Sequence, residues 1–103
     1  MSNIISRRVL VINFLFIIDV LKDFCANGAL AVKDGDAVVP PINKMIDWAI
    51  ANDAQIVVVR EWHPPNSKHF KDFGGIWPTH GVENTRGAEL HDDLAVEETN
   101  VAH

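Results

Sequence analysis

The chain has 103 residues, enough for one small domain with a thin core, because a short chain buries a smaller fraction of its surface than a long one. Apolar residues make up 48% and charged residues 22%, which is typical of a globular protein rather than a disordered tail. The 9 basic and 14 acidic side chains give a net charge of −5, which disfavours nucleic acid and anionic membranes as partners, since both select for clustered Lys and Arg.

The number of cysteines and the first apolar run indicate the cellular compartment of the protein. Cys25 is the single cysteine of the sequence, so no internal disulfide forms and a reducing compartment fits best. The apolar run over residues 9–18 is too short for a membrane helix, which needs about 20 residues. It follows Arg7-Arg8 as in a signal peptide, but Asp19 interrupts it and no small-residue cleavage site follows. We therefore expect a cytoplasmic protein.

The first predicted element is a strand over residues 9–18. Its aliphatic and aromatic residues show little alternation, which is typical of a strand buried on both faces in a parallel sheet. The strand ends at Asp19, and open α/β sheets bind ligands at the carboxyl ends of their strands. Loops with glycine turns follow at Cys25-Ala-Asn-Gly and at Asp34-Gly-Asp.

A helix and a second strand come next. Pro40-Pro41 begins the helix, since proline is tolerated in the first helical turn. Apolar residues recur at helical spacing at Ile42, Met45, Ile46, Ala49 and Ile50. The helix is expected to fade near Asn52-Asp53, before a second buried strand over residues 55–60. Strand, helix and strand in this order predict a βαβ unit with parallel pairing.

The remaining chain is predicted to be mostly loop. Residues 64–87 lack regular patterns, and a long loop in a compact domain usually has a function. We expect a short helical turn over residues 88–95 and the start of a third strand over residues 99–102. We interpret residues 1–103 as a single domain, because the sequence has no repeats and no internal boundary.

Acidic and histidine side chains follow both predicted strands. Asp19 ends the first strand, and Glu61 and His63 follow the second. Because Glu61 and His63 are two residues apart, their side chains point to the same side of an extended segment. His69 and His80 lie in the long loop. A carboxylate with two or three imidazoles suits Zn²⁺ or a similar divalent ion, but spacing alone is a weak signal, and surface histidines would give the same composition.

Five segments of the sequence carry a more specific pattern. They are Phe-Cys-x-x-Gly-Ala-Leu-Ala-Val, Val-Val-Pro-Pro-Ile-Asn, Trp-His-Pro-Pro, Gly-Gly-x-Trp-Pro-x-His and Gly-Ala-Glu-Leu-His. Their order and spacing resemble the nicotinamidase/pyrazinamidase branch of the isochorismatase-like cysteine hydrolases. The resemblance holds from about residue 17 to residue 95, which is nearly all of this chain but only about the first half of the family fold.

The resemblance implies a truncated α/β fold with a Rossmann-like parallel sheet and helices on both faces. It also implies hydrolysis of a small amide, nicotinamide, to nicotinate and ammonia in the salvage of NAD. In that mechanism a cysteine thiolate attacks the amide carbon, an aspartate takes the thiol proton, and a lysine supports the pair. A nearby divalent metal ion holds the pyridine nitrogen.

Residue roles also follow from the resemblance, position by position. Asp19 matches the aspartate base, and Phe24 and Trp77 match the aromatic pair that encloses the substrate ring. The ligands of the divalent ion, which is Zn²⁺, Mn²⁺ or Fe²⁺, are matched by Glu61, His63, His80 and, as a fourth, His69.

Several positions depart from the family pattern. Glu61 stands where an aspartate is usual, so we expect weaker or altered metal affinity. Leu21-Lys22 replace a Gln-Asn pair, and Gly81 replaces a cysteine that has no catalytic role. The family's lysine and nucleophilic cysteine have no counterpart in these 103 residues, so we expect no turnover by this chain alone.

Some of these residues also have a purely structural interpretation. Asp19 also fits a residue that caps the turn after a strand. Cys25 is not expected to be the nucleophile, because it lies on the same segment as Asp19, whereas the family takes base and nucleophile from separate strands. His91 and His103 are predicted to be surface residues.

Three functions stay open at this point. The leading one is a nicotinamidase-type amidohydrolase, of which this chain supplies the metal and base half. The second is a related hydrolase that acts on another small amide or on isochorismate. The third is a non-catalytic remnant that binds metal or forms a homo-oligomer through an exposed sheet edge.

Overall fold

A computed structural model describes residues 10–96 of the chain. Within this range, strand β1 is Phe14–Ile18, helix α1 is Val39–Ala51 and strand β2 is Gln55–Val59. Four short 3-10 helices complete the regular structure, at Lys22–Phe24, Gly35–Val38, Lys71–Phe73 and Arg86–Ala88. The two strands pair in parallel, which confirms the predicted βαβ unit.

The register of the sheet brings the ends of the two strands together. Ile18, the last residue of β1, pairs with Val59, the last residue of β2. The Asp19 backbone N–H then donates to the Val59 carbonyl at 2.9 Å, so pairing continues beyond β1. Residue 19 and the segment after β2 therefore start from the same edge of the sheet.

The core lies between one face of the sheet and α1. Ile17 of β1, Val58 of β2 and Ile46 of α1 belong to one buried cluster and are at most 4% exposed. The helix begins with Pro40-Pro41 in its first turn, as predicted. The cluster also contains residues from the flanking loops, namely Val20, Leu21, Val39, Leu90 and Leu94.

The first strand is shorter and less buried than predicted. It begins at Phe14 rather than near residue 9, and residues 10–13 are exposed and unassigned. Phe14, Phe16 and Ile18 are 55%, 58% and 62% exposed, so the prediction of burial on both faces is wrong for the described residues. The physical reason is that α1, the one α-helix of residues 10–96, covers a single face.

The long segment after β2 is mostly loop, as predicted. The helical turn expected over residues 88–95 is wrong, because the 3-10 helix there is Arg86–Ala88 and residues 89–95 contain turns, bends and an isolated bridge from Leu90 to Leu21. The strand expected over residues 99–102 and the position of His103 lie outside the described residues. No helix between residues 10 and 96 combines the length and apolar character needed to cross a membrane.

Candidate functional site

One carboxylate and two imidazoles meet at the carboxyl edge of the sheet. The Glu61 Oε2 atom lies 3.1 Å from His63 Nε2 and 2.7 Å from His80 Nε2. Ligand atoms of all three residues lie within 4.8 Å of one another. This donor set of oxygen and imidazole nitrogen is the kind that binds Zn²⁺ and related divalent ions.

The two histidine segments are joined through their backbones. The His63 N–H donates to the Gly81 carbonyl at 2.8 Å, and the Glu83 N–H donates to the His63 carbonyl at 2.8 Å. Gly81 has a positive φ of 56°, and an added Cβ would lie 3.2 Å from the Glu61 Cβ. Glycine at this position therefore allows the His80 loop to approach Glu61 closely.

His80 is oriented in the way that metal-binding histidines usually are. Its Nδ1 lies 2.7 Å from the Pro78 carbonyl oxygen, and because a carbonyl only accepts, Nδ1 carries the proton. The Nε2 atom is then directed at Glu61. A second ring nitrogen that donates to a carbonyl fixes the tautomer and orientation of a metal ligand. The ring is also 5% exposed, so it is held in place by packing.

His69, the predicted fourth ligand, lies beside this group and not within it. Its ring centroid is 5.6 Å from that of His63, and it lines the same cavity. At this position, the ligand atoms that lie within 4.8 Å of one another belong to Glu61, His63 and His80, and His69 is not among them.

The predicted aromatic residues face the same cavity as the histidines. This cavity has a volume of about 350 Å³ and is lined by Phe24, Leu30, Glu61, His63, His69, Trp77 and His80. The Phe24 ring centroid lies 5.7 Å from the His80 ring. An apolar cavity with a few convergent polar groups is the usual form of a small-molecule site.

Phe70 packs against the rings of His63 and His80. The sequence alone did not identify this residue. Its side chain is 0% exposed. Its ring packs edge-on at 5.5 Å from both the His63 and His80 rings. No motif identified this residue, since its role depends on the fold of the loop that carries it.

Asp19 lies next to the histidine group but faces a neighbouring cavity. It has a positive φ of 59°, which is uncommon for a residue other than glycine. Burial, and next the negative charge of Glu61, raise the pKa of the Asp19 carboxyl, and a hydrogen bond from the Glu61 backbone partly offsets them. The neighbouring cavity has a volume of about 440 Å³ and shares Phe24 with the first. A carboxyl with a raised pKa in a cleft is typical of a general base.

A second group of potential ligands was not predicted. Cys25, Asp36 and His91 bring their ligand atoms within 4.8 Å of one another beside a cavity of about 380 Å³. His91, which was predicted to be a surface residue, is partly exposed and lies 3.1 Å from Asp36. Nothing in the spacing of these three residues indicates that they meet.

The hydrogen bonds of this second group do not suit a metal site. His91 Nδ1 accepts the Asp93 N–H at 3.0 Å, so the ring proton lies on Nε2, which donates to Asp36 at 3.1 Å. The other Asp36 oxygen accepts the Ala26 N–H at 2.7 Å. Burial, followed by the charge of Asp36, raises the pKa of Cys25, so this cysteine remains a thiol and a poor nucleophile.

Asp23 is a further residue of the site, to which the sequence alone assigns no role. Its Oδ2 accepts the Gly81 N–H at 2.9 Å, and its Oδ1 accepts the Ala29 N–H at 3.2 Å. It thereby joins the loop of Phe24 to the loop of His80. An aspartate beside a motif phenylalanine gives no sequence signal for this contact, because both donors are backbone groups.

Sequence comparisons bear out the resemblance. The profile of the isochorismatase domain matches residues 13–103. A nicotinamidase of Escherichia coli strain K12 is 36% identical over 92 residues, which cover 75% of this chain and 43% of that protein. A nicotinamidase/pyrazinamidase of Mycobacterium tuberculosis is 36% identical over 83 residues, which cover 78% of this chain and 44% of that protein. The chain thus spans somewhat less than half the length of these relatives.

Structural comparisons agree with the sequence. The pyrazinamidase of Pyrococcus horikoshii in complex with zinc superposes with a TM-score of 0.79 at 39% identity, over 86% of this chain and 49% of that one. PnC1 of L. infantum in complex with nicotinate superposes with a TM-score of 0.74 at 35% identity, over 87% of this chain and 45% of that one.

Proposed function

The chain belongs to the isochorismatase domain family, and we propose that it supplies the metal-binding and base-bearing part of a nicotinamidase-type amidohydrolase. The convergence of Glu61, His63 and His80 beside an aromatic-lined cavity carries this proposal. The names of the relatives support nicotinamide and similar aromatic amides as the substrate class.

The donor atoms of the proposed metal centre fit Zn²⁺, Mn²⁺ or Fe²⁺. Glu61 supplies an oxygen, His63 and His80 supply Nε2 atoms, and His69 stands near enough to be the proposed fourth ligand. Zinc is the ion in the P. horikoshii structure, which supports the same ion here. When bound, the ion would act as a Lewis acid that holds the pyridine nitrogen of the substrate.

Asp19 is proposed as the general base. Its raised pKa means that the carboxyl holds a proton more readily than an exposed aspartate does, as a base next to a nucleophile requires. Phe24 borders both the Asp19 cavity and the histidine cavity, so a ring against Phe24 would adjoin both cavities. We propose that these 103 residues do not turn over amide alone, because they contain no counterpart of the family's nucleophile and lysine.

The product of this reaction would be nicotinate, a pyridine carboxylate. We propose that the reaction belongs to the salvage of NAD and takes place in the cytoplasm. The use of a single cysteine, which fits a reducing compartment, supports that location.

Ring binding by the cobalt-loaded chain tests the proposed function. Co²⁺ takes the place of Zn²⁺ and has visible absorption bands that respond to a new ligand. We expect nicotinamide to shift these bands and benzamide, which has the same shape without the ring nitrogen, to leave them unchanged. We also expect His80→Gln to lose the spectral response to nicotinamide, because His80 is a proposed ligand of the ion.

Two results would contradict the proposal. Equal responses to nicotinamide and benzamide would mean that no ring nitrogen is bound. Steady release of ammonia from nicotinamide by the purified chain would contradict the proposal that these residues are inactive alone.

A further inference from the structure

We propose that Asp23 is a positioning residue of the metal centre, which holds the His80 loop against Glu61 through the Gly81 backbone. This inference rests on the proposed function, because the metal centre is itself proposed. The contacts of Asp23 do not depend on a bound ion. Asp23 lies outside the cavity that Glu61, His63 and His80 line, so it would act through Gly81 and would not touch the substrate.

Gly81 is held from both sides. Its N–H donates to Asp23 Oδ2 at 2.9 Å, and its carbonyl accepts the His63 N–H at 2.8 Å. One peptide unit thus links the carboxylate of Asp23, the backbone of His63 and the residue next to His80. Removal of the Asp23 oxygen would leave the His80 loop joined to the centre on one side only.

The Asp23 carboxylate is itself fixed in position. Its second oxygen accepts the Ala29 N–H at 3.2 Å. The backbone of Gly87 packs so closely that an added Cβ would lie 2.2 Å from Asp23 Oδ2. Because three segments of backbone surround the carboxylate, it can act as a rigid support rather than a mobile surface charge.

The distances at the centre leave little room for movement of the loop. Gly81 lies so close to Glu61 that a Cβ would be 3.2 Å from the Glu61 Cβ and 3.5 Å from Oε2. The contact between Glu61 Oε2 and His80 Nε2 is 2.7 Å. A shift of the Gly81 backbone by a few tenths of an ångström would therefore move both proposed ligands.

Metal affinity of the full chain tests this role. We expect Asp23→Ala to weaken Zn²⁺ or Co²⁺ binding by about tenfold, as loss of an outer hydrogen-bond partner usually does. Asp23→Asn retains one side-chain oxygen for the Gly81 N–H and should lose less. Asp36→Ala is the matched control, because Asp36 also accepts a backbone N–H, from Ala26 at 2.7 Å, but does not contact the His80 loop.

Hydrogen exchange of the Gly81 amide supplies a readout that needs no metal. We expect this amide to exchange faster in Asp23→Ala than in the wild type, and to be unchanged in Asp36→Ala. If Asp23→Ala does not fold, the exchange rate of the Gly81 amide in Asp23→Asn is compared with that of the wild type instead. Equal effects of the Asp23 and Asp36 variants on affinity and exchange would overturn the inference. If the wild type binds no metal, the proposed function fails, whereas Gly81 exchange still decides the role of Asp23.

Discussion

Three of the four proposed ligands of the metal centre, Glu61, His63 and His80, are held by hydrogen bonds that involve a backbone group. His80 donates from Nδ1 to the Pro78 carbonyl, His63 donates its N–H to Gly81, and the Glu61 backbone bonds to Asp19. Such contacts hold side chains in place before any ion arrives, which lowers the entropy lost on binding. The centre therefore has the geometry of a site that is ready to bind.

Asp19 provides a prediction about pH at the scale of one residue. A raised pKa means that the folded state binds the proton more tightly than the unfolded state. The stability contributed by Asp19 is therefore present below the unfolded pKa and is lost as the pH rises through the folded pKa. Asp19→Asn, which is neutral throughout, should be more stable than the wild type at pH near 7, and the difference should vanish at low pH.

Urea unfolding with a chelator present measures this difference. Asp92→Asn is a control of opposite sign, because hydrogen bonding to Lys22 lowers the pKa of Asp92. That variant should lose stability at neutral pH and match the wild type in acid. An Asp19→Asn chain that is less stable than the wild type at neutral pH would contradict the prediction.

Single residues show how far the sequence could predict the site. Asp19, Glu61, His63 and His80 were predictable, because a motif places each at the end of a strand or in a recognisable loop. Asp23 was not, since its partners are backbone groups that only the folded loop brings near. Two departures from the family pattern, at Glu61 and Gly81, lie so close together that a Cβ on Gly81 would be 3.2 Å from the Glu61 Cβ, which spacing alone does not reveal.

At the scale of elements, a loop with little regular structure carries most of the site. Isolated parallel bridges, between His63 and Val82 and between Phe70 and Trp77, hold this loop together. The loop is also fixed by the side chain of Phe70, which is fully buried. The sequence could predict a functional loop from its length and composition, but these bridges join residues without strand patterns and could not be predicted.

Two adjacent glycines of the loop give a prediction at this scale. A Cβ on Gly75 would lie 2.0 Å from the His69 carbonyl oxygen, whereas Gly74, with a positive φ of 97°, has nothing within 4 Å of an added Cβ. Gly74→Ala should therefore cost about 1 kcal/mol from backbone strain alone. Gly75→Ala should cost more, about 2–3 kcal/mol, and disturb the loop that carries Trp77.

Unfolding free energies and tryptophan fluorescence of the two variants test this difference. Gly74→Ala serves as the control for a new methyl group without a clash. Equal costs in the two variants, with unchanged tryptophan emission, would show that the loop is not packed in this way.

Strand β1 shows a limit of sequence reasoning about elements. Its continuous apolar run predicted burial on both faces, as in a parallel sheet covered by helices. Within the described residues only the Ile17 side is covered. An apolar run indicates which surface can be buried, but what covers it depends on other parts of a fold.

At the scale of the whole molecule, the uncovered side of the sheet is an exposed apolar surface within residues 10–96. Phe14, Phe16 and Ile18 are each more than half exposed on this side. Exposed apolar surface of this kind favours association, so homo-oligomer formation stays a prediction. We expect sedimentation to show association that rises with concentration and falls in Phe16→Lys. A chain that is monomeric at every concentration would contradict it.

The fold class was predictable as a whole because five motifs occur in register. The parallel β1–β2 pairing and the family match confirm an α/β fold of the isochorismatase type. The chain spans somewhat less than half the length of the two nicotinamidases compared above. The hydrolysis of nicotinamide therefore stays a proposal.

The number of metal ions bound per chain tests the central claim most directly. Native mass spectrometry with Zn²⁺ should find one ion on the wild type and on Asp36→Asn, because the Cys25 group is hydrogen-bonded in a way that does not suit a metal. It should find none on His80→Gln. Binding that survives in His80→Gln but is lost in Asp36→Asn would place the ion at the wrong group and contradict the account.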